Sequence, residues 1–182
     1  MVLYTGTREE GGFAMSSEPQ EEAKKLKLLI VDDEVDFLNS IAKRLELRSF
    51  DVTAVTNGKD AINAAKRRKF DLALLDLKMP GMDGTEVLGV LKKKHKFLEV
   101  VILTGVSSID SAVECTKLGA FDYLSKPYEL GNLLDVLKRA YEARLRKKFE
   151  HDRRRMEELE MLAAGSPLAV LRALVRLDDD EK

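Results

Sequence analysis

The sequence is poor in several features that would define other classes of protein. A single cysteine, Cys115, excludes an internal disulfide, and its apolar helical surroundings predict a buried filler in a reducing compartment. No apolar run approaches the roughly 20 residues of a membrane span, and the N-terminus lacks the apolar region of a signal peptide. The 31 basic and 32 acidic residues leave a net charge of −1, so no general attraction to nucleic acid or an anionic membrane is expected. We therefore expect a cytoplasmic protein.

Short apolar segments alternate with amphipathic segments from Leu26 onward. Strands are predicted over 28–31, 51–56, 70–75, 99–103 and 121–125. Helical spacing of apolar residues follows each of them, up to Ser49 for the first helix. Alternating strands and helices indicate βαβ units with right-handed crossovers. The predicted fold is α/β, a doubly wound five-stranded parallel sheet with an extended C-terminal helix.

The most informative stretch is 71–84, where an uninterrupted apolar run ends at Asp76 and a Pro-Gly turn follows. Such a run is typical of a strand buried on both faces. It would bring Asp76 to the carboxyl edge of the sheet, where parallel sheets form their sites. Aspartate also begins ordinary turns, so the interpretation depends on what the other strands bring to the same edge.

Polar residues end three other predicted strands: Asp32 and Asp33 the first, Thr104 the fourth and Lys126 the fifth. Three clustered carboxylates repel one another unless a cation joins them, and hard oxygen ligands suit Mg²⁺. Lysine and threonine can contact phosphoryl oxygens. Helix capping, a strand-end hydroxyl and a solvated charge would explain each residue singly. Their coincidence at four strand ends favours a site where Asp76 attacks a phosphoryl group.

Four motifs carry a resemblance to a known family. They are Ile30-Val31-Asp32-Asp33-Glu34, Leu74-Leu75-Asp76-Leu77-Lys78-Met79-Pro80-Gly81-Met82-Asp83-Gly84, Leu103-Thr104-Gly105 and Gly119-Ala120-Phe121-Asp122-Tyr123-Leu124-Ser125-Lys126-Pro127. Through them, residues 26–144 resemble the flavodoxin-like receiver domains of two-component response regulators. The resemblance implies a signalling switch rather than an enzyme, beyond its own phosphorylation and dephosphorylation.

The resemblance also implies roles at the acidic edge. Asp76 would accept a phosphoryl group from a histidine kinase or a histidine phosphotransfer protein. Asp33, Asp76 and the backbone carbonyl of Lys78 would bind Mg²⁺ directly, and Asp32 would act through water.

The remaining implied roles concern the phosphoryl group and its readout. Thr104 and Lys126 would contact phosphoryl oxygens, and Tyr123 would be the aromatic residue that moves together with Thr104. A cis peptide bond is expected between Lys126 and Pro127. Lys78 and Val106 stand where receivers control the access of water, and they predict slow self-dephosphorylation.

Outside the receiver region, residues 1–25 are predicted to be a mobile leader and 145–182 a helical extension without a recognisable output domain. One long helix is expected over 142–164, and Ser166-Pro167 should begin a short apolar helix. Phe149, Met156, Leu159 and Ala163 could form a dimer seam. Because acidic residues are interleaved with the basic ones, a solvated helix is expected over 144–158, and nucleic-acid binding is not. His95 and His151 should be solvated.

Three other functions would use parts of the same pattern. The basic helix could serve a DNA-associated transcriptional regulator. A Mg²⁺-dependent phosphatase with an aspartate nucleophile would need a second aspartate where Lys78 stands. A flavodoxin-like cofactor carrier would need phosphate donors where Asp32-Asp33-Glu34 repel phosphate. The favoured output is altered contact with an unknown downstream protein, with possible homodimerisation.

Overall fold

The computed structural model describes residues 25–105 and 108–165. Within them, five strands alternate with five helices, as the sequence predicts. The elements are β1 (Leu26–Val31), α1 (Val35–Glu46), β2 (Phe50–Val55), α2 (Gly58–Arg67), β3 (Leu72–Leu75), α3 (Gly84–Lys94), β4 (Glu99–Thr104), α4 (Ile109–Lys117), β5 (Asp122–Ser125) and α5 (Leu130–Gly165). The expected leader, Val106 and the apolar helix expected after Ser166 lie outside the described residues, apart from Lys25.

All five strands are parallel and lie in the order β2-β1-β3-β4-β5. The strands β2 and β3 therefore lie on opposite sides of β1, and the chain crosses from β2 past β1 to form β3. This reversal of strand order opens a crevice beyond the carboxyl ends of β1 and β3, the usual position of a site in such sheets.

Side chains of β3 alternate between two apolar layers, which explains its uninterrupted apolar run. Ala73 and Leu75 pack in the layer that includes residues of α2, α3 and α4. Leu72 and Leu74 pack in the layer formed with α1 and α5. Successive residues of a strand point to opposite faces, so a strand covered on both faces needs an apolar residue at every position. Cys115 is buried in the first layer, in accord with its sequence pattern.

Several predicted boundaries differ from those of the structure. The first helix ends at Glu46 rather than at Ser49, which has a φ of 65°, and Leu47 is 78% exposed instead of lying on the buried face. The third strand begins at Leu72 rather than at residue 70. The preceding Asp71 instead accepts a hydrogen bond from the backbone N–H of Lys27 through its side chain.

The fifth helix continues well beyond the sheet, as predicted. It packs on the second layer through Leu133, Val136, Leu137 and Ala140 and extends over 36 residues. No helix of residues 25–105 or 108–165 combines the length and apolarity that crossing a membrane requires.

Most side chains over 144–158 are exposed, as expected of a solvated helix, but the first turns of this part of α5 are held against the receiver. Arg144 Nη2 lies 2.7 Å from Asp71 Oδ1, and Lys147 pairs with the buried carboxylate of Glu99. The ring of His151 packs edge-on against Phe97, 5.2 Å between centroids. The two histidines are half-buried rather than solvated. Ion pairs to strand ends could not be inferred from helical periodicity.

Candidate phosphoryl-transfer site

The strand register brings two aspartates together at the carboxyl edge of the sheet. Asp32 directly follows Val31, and Asp76 directly follows Leu75; these two strand residues are partners in the β1–β3 pairing. The backbone N–H of Asp76 donates to the carbonyl oxygen of Val31 at 2.9 Å. The two carboxylates are thus neighbours because the strands that carry them end in register.

Asp33 joins this pair to form a cluster of three carboxylates. One oxygen from each of Asp32, Asp33 and Asp76 lies within 4.8 Å of the others. Asp32 is 2% exposed and Asp76 5% exposed, whereas Asp33 is half-buried. Three converging carboxylates with one side open to water could hold a divalent cation, and the hard oxygen donors fit Mg²⁺.

The environment of Asp32 shows the electrostatic cost of this cluster. Burial raises the pKa of Asp32 above its ordinary value. The hydrogen bond from Lys126 and the one from the backbone N–H of Glu34, 3.0 Å long, oppose that rise without cancelling it. The negatively charged form of Asp32 is therefore only partly compensated, and a bound cation would add to the compensation.

Lys126 is the cation that the protein itself supplies. Its Nζ lies 2.6 Å from Asp32 Oδ2, 3.4 Å from Glu34 Oε1 and 3.6 Å from Asp76 Oδ2, with the side chain 14% exposed. Burial by itself would lower the pKa of Lys126, but the hydrogen bond and charge of Asp32, together with the other two carboxylates, raise it. Lys126 therefore stays charged beside Asp76.

Thr104 and Tyr123 lie on the neighbouring strands β4 and β5, Thr104 at the carboxyl edge and Tyr123 two positions before it, opposite Ile102. Thr104 ends β4, is fully buried and pairs with Ser125 across the β4–β5 ladder. Its carbonyl oxygen accepts a hydrogen bond of 2.8 Å from the backbone N–H of Lys126. Tyr123 is half-buried against the first apolar layer, and burial raises the pKa of its hydroxyl. The peptide bond between Lys126 and Pro127 is cis.

Lys78 follows the acidic residue in the loop after β3. Its backbone N–H donates to Asp76 Oδ1 at 3.3 Å, and its side chain is exposed. The aspartate side chain is thereby tethered to its own loop. Val106, the other residue in the prediction of slow dephosphorylation, lies outside the described residues.

Three residues take part in the site without having been assigned a role from the sequence. Glu34 contacts Lys126, and Phe37 presents its ring 4.0 Å from Lys126 Nζ. Gly84 lies so close to the backbone that a Cβ there would be 2.2 Å from the carbonyl oxygen of Asp76. Asp83 caps the amino end of α3 and Gly84 is its first residue, but only the structure shows that Gly84 packs against the acidic residue itself.

The fold and this edge agree with a comparison against known families. Residues 28–138 match the response regulator receiver domain. The chain belongs to this family. Receiver domains are signalling switches of two-component systems that histidine kinases phosphorylate on an aspartate, and they bind Mg²⁺ at an acidic pocket. In this receiver, Asp32, Asp33 and Asp76 form a cluster that could hold a metal.

Individual proteins show the same similarity. The response regulator protein FleR of Pseudomonas aeruginosa is 35% identical over 113 residues, which cover 62% of this chain and 24% of FleR. The transcriptional regulatory protein ZraR of Escherichia coli O157:H7 is 35% identical over 115 residues, covering 63% of this chain and 26% of ZraR. The receiver thus spans about a quarter of the curated relatives that it matches.

Solved structures agree on the fold. A CheY-like receiver domain protein from Methanospirillum hungatei superposes with a TM-score of 0.66 at 28% identity, covering 68% of this chain and 98% of that chain. NtrX from Brucella abortus, solved with ADP, gives a TM-score of 0.66 at 30% identity, covering 72% of this chain and 29% of NtrX. The similarity therefore covers an entire small receiver in one case and part of a larger protein in the other.

Proposed function

We propose that this receiver is a switch set by phosphorylation of Asp76. The observation that carries the proposal is the position of this carboxylate: 5% exposed, clustered with Asp32 and Asp33, and 3.6 Å from the ammonium group of Lys126. A nucleophile, a place for a metal and a fixed cation therefore meet at one edge of the sheet. Phosphoryl transfer needs these components, because its catalysis depends on position and charge.

In the proposed reaction, an oxygen of Asp76 attacks phosphorus, and the bond from phosphorus to a histidine nitrogen of the donor protein breaks. The electron pair of that bond stays on the histidine. Mg²⁺ would be held by Asp33, Asp76 and the backbone carbonyl of Lys78, with Asp32 acting through water, and would neutralise charge on the transferred group. Lys126 and the hydroxyl of Thr104 would contact its oxygens, and Tyr123 would follow the movement of Thr104. The protein catalyses its own modification and no turnover of other substrates.

The direct test is phosphorylation by a small phosphodonor. The purified chain is incubated with acetyl phosphate, with Mg²⁺ or with EDTA, and the intact mass is measured. We expect one added phosphoryl group in the presence of Mg²⁺ and none in Asp76→Asn. Asp110→Asn, which removes an exposed carboxylate from the first turn of α4, should be modified as the parent is. Modification of Asp76→Asn to the parent's level would refute the assignment.

The output that we propose is a change of protein contacts, including self-association through α5. Large apolar side chains are exposed along this helix, with Leu145 45%, Phe149 69% and Met156 58% exposed. Their spacing of four and seven residues places them along one seam, which a second helix of the same kind could cover. Asp152 lies within that seam and is expected to weaken the pairing.

Light scattering with beryllofluoride, a phosphoryl mimic, tests this output. A change from monomer to dimer that Phe149→Glu abolishes would support self-association, with Arg146→Glu on the same helix as the control. If the mimic binds and the mass stays that of a monomer, a separate downstream protein must read the switch.

A second candidate output is transcriptional control by a longer protein. The supporting observation is that ZraR, of which this chain matches about a quarter, is named a transcriptional regulatory protein. In such a protein α5 would lead from the receiver into an output region. Binding of this chain alone to duplex DNA is not expected, because acidic residues accompany the basic ones along α5.

A further inference from the structure

A cavity of about 730 Å³ lies at the amino end of the sheet, opposite the edge that carries Asp76. Three parts of the chain surround it: residues 65–70 at the end of α2, residues 94–98 before β4, and one face of α5. A volume of roughly 300–1,000 Å³ is typical of sites for small molecules. The cavity exists because α5 extends beyond the sheet and is held there by Arg144 and Lys147.

The lining of this cavity is strongly basic. It includes nine lysines or arginines, two histidines and a single acidic residue, Asp152, although the whole chain carries a net charge of −1. Residues 66–69, Lys-Arg-Arg-Lys, supply four of the cations. Arg144, Lys148 and Arg155 supply three more from one face of α5, at spacings of four and seven residues.

Helix ends account for only part of this charge. Lys66, Arg67 and Lys94 lie in the last turns of α2 and α3, where cations ordinarily compensate the helix dipole. The cations of α5 lie in the interior of a helix of 36 residues. Arg144 is held on this side by its ion pair with Asp71, but the helix dipole does not explain the positions of Lys148 and Arg155.

Two buried nitrogens point to a missing partner. Among the described residues, the buried side-chain nitrogens without a hydrogen-bond partner are Arg144 Nε and His151 Nδ1, and both residues line this cavity. The 3.6 Å from His151 Nδ1 to Asp152 Oδ1 is too long for a hydrogen bond. Buried polar groups normally have a partner, and a ligand can supply it.

We propose that this cavity binds a small compound with several phosphate groups, such as the oligophosphate of a nucleotide. Clustered cations repel one another, and a multivalent anion between them removes that repulsion. Arginine forks match phosphate oxygens, and the half-buried ring of Phe97 against His151 offers a surface for a flat ring. Enclosure on three sides favours a small molecule over a duplex. The site is separate from Asp76 and does not depend on its phosphorylation.

Calorimetric titration of the full chain with ATP, and separately with inorganic triphosphate, tests the proposal. EDTA is present throughout, so that no metal links the ligand to the acidic edge. Lys148→Glu reverses one exposed charge of the lining, whereas Arg146→Glu reverses a nearby charge of α5 outside it. We expect Lys148→Glu to weaken binding about tenfold or more and Arg146→Glu to change it less than about twofold. Circular dichroism checks that both variants are folded.

Each outcome decides the question. If ATP and triphosphate bind equally well, and only Lys148→Glu loses that binding, the site recognises the oligophosphate group. Much tighter binding of ATP shows that the ring is recognised as well. Absence of binding to the parent chain overturns the proposal, as does equal weakening by the two variants. Binding of duplex DNA that is tighter than that of triphosphate and equally sensitive to Lys148→Glu would overturn it in favour of a nucleic-acid surface.

Discussion

Gly84→Ala should damage the receiver far more than its small size suggests. A Cβ at this position would lie 2.2 Å from the carbonyl oxygen of Asp76 and 2.6 Å from Leu77 Cα. Both atoms belong to the backbone, so no side-chain rotation can relieve the overlap. The loop must move away, which also strains the hydrogen bond of 2.9 Å from Gly84 N–H to the carbonyl oxygen of Leu77.

The magnitude follows from these two effects. Overpacking costs about 1–3 kcal/mol, and a weakened backbone hydrogen bond adds about 1 kcal/mol. We therefore expect Gly84→Ala to lower the free energy of unfolding by about 2–4 kcal/mol. At about 2–4 °C for each kcal/mol in a chain of this size, the midpoint of thermal unfolding should fall by roughly 4–16 °C. Because the displaced backbone carries Asp76, phosphorylation by acetyl phosphate should slow as well.

Gly89→Ala is a matched control within the same helix. Nothing lies within 4 Å of a Cβ at Gly89, so alanine there should stabilise the protein by about 0.5–1 kcal/mol through helix propensity. Urea unfolding of both variants measures the two free energies. The same substitution in one helix should thus act with opposite signs. Gly84→Ala with parental stability would refute the packing argument.

Two further predictions concern buried carboxylates. Asp32→Asn should raise the free energy of unfolding in EDTA at pH 7, because burial penalises the charged form of Asp32 more than the hydrogen bonds from Lys126 and Glu34 favour it. Since the folded pKa of Asp32 is raised above 3.8, the stability of the parent falls as pH rises through that pKa, so the gain from Asp32→Asn should disappear as pH is lowered toward 4. Urea unfolding across this pH range measures the gain. A gain that persists at low pH would contradict the reasoning. Glu99→Gln should lower stability by about 2 kcal/mol, because Glu99 is 1% exposed and its carboxylate pairs with Lys92 and Lys147. Lys147→Met should lower the free energy of unfolding by less than about 1 kcal/mol, since that lysine side chain is 53% exposed. A larger loss in Lys147→Met than in Glu99→Gln, measured by urea unfolding, would contradict this ranking.

The sequence predicts the fold well because its signals are local. Short apolar runs and apolar residues at helical spacing depend on neighbours along the chain, and they locate the five strands and five helices of the described residues. Boundaries failed where a local pattern continued past the element, as at Leu47, whose apolar side chain fits the helical spacing and yet is exposed. Helix periodicity does not include the left-handed conformation of Ser49 that follows.

The family resemblance identified the residues of the acidic edge, but it could not predict how closely Lys126 approaches each carboxylate and compensates its charge. That Lys126 lies 2.6 Å from Asp32 and 3.6 Å from Asp76 depends on the register of three strands. The contacts of Glu34 and Phe37 with the same ammonium group depend on how α1 leaves the sheet. Distances of this kind come from tertiary packing, which no single segment encodes.

The position of an acidic residue relative to its strand separates two roles in this protein. Asp76 follows β3 and lies at the carboxyl edge with other carboxylates, where repulsion favours a bound cation. Asp71 precedes β3 and Glu99 begins β4, so both lie at the amino edge, where Arg144 and Lys147 of α5 neutralise them. At its carboxyl edge the sheet thus presents negative charge that Lys126 compensates only in part. At the amino edge of the sheet, α5 contributes further cations to the basic cavity. The same helix, α5, therefore completes the core and closes that cavity.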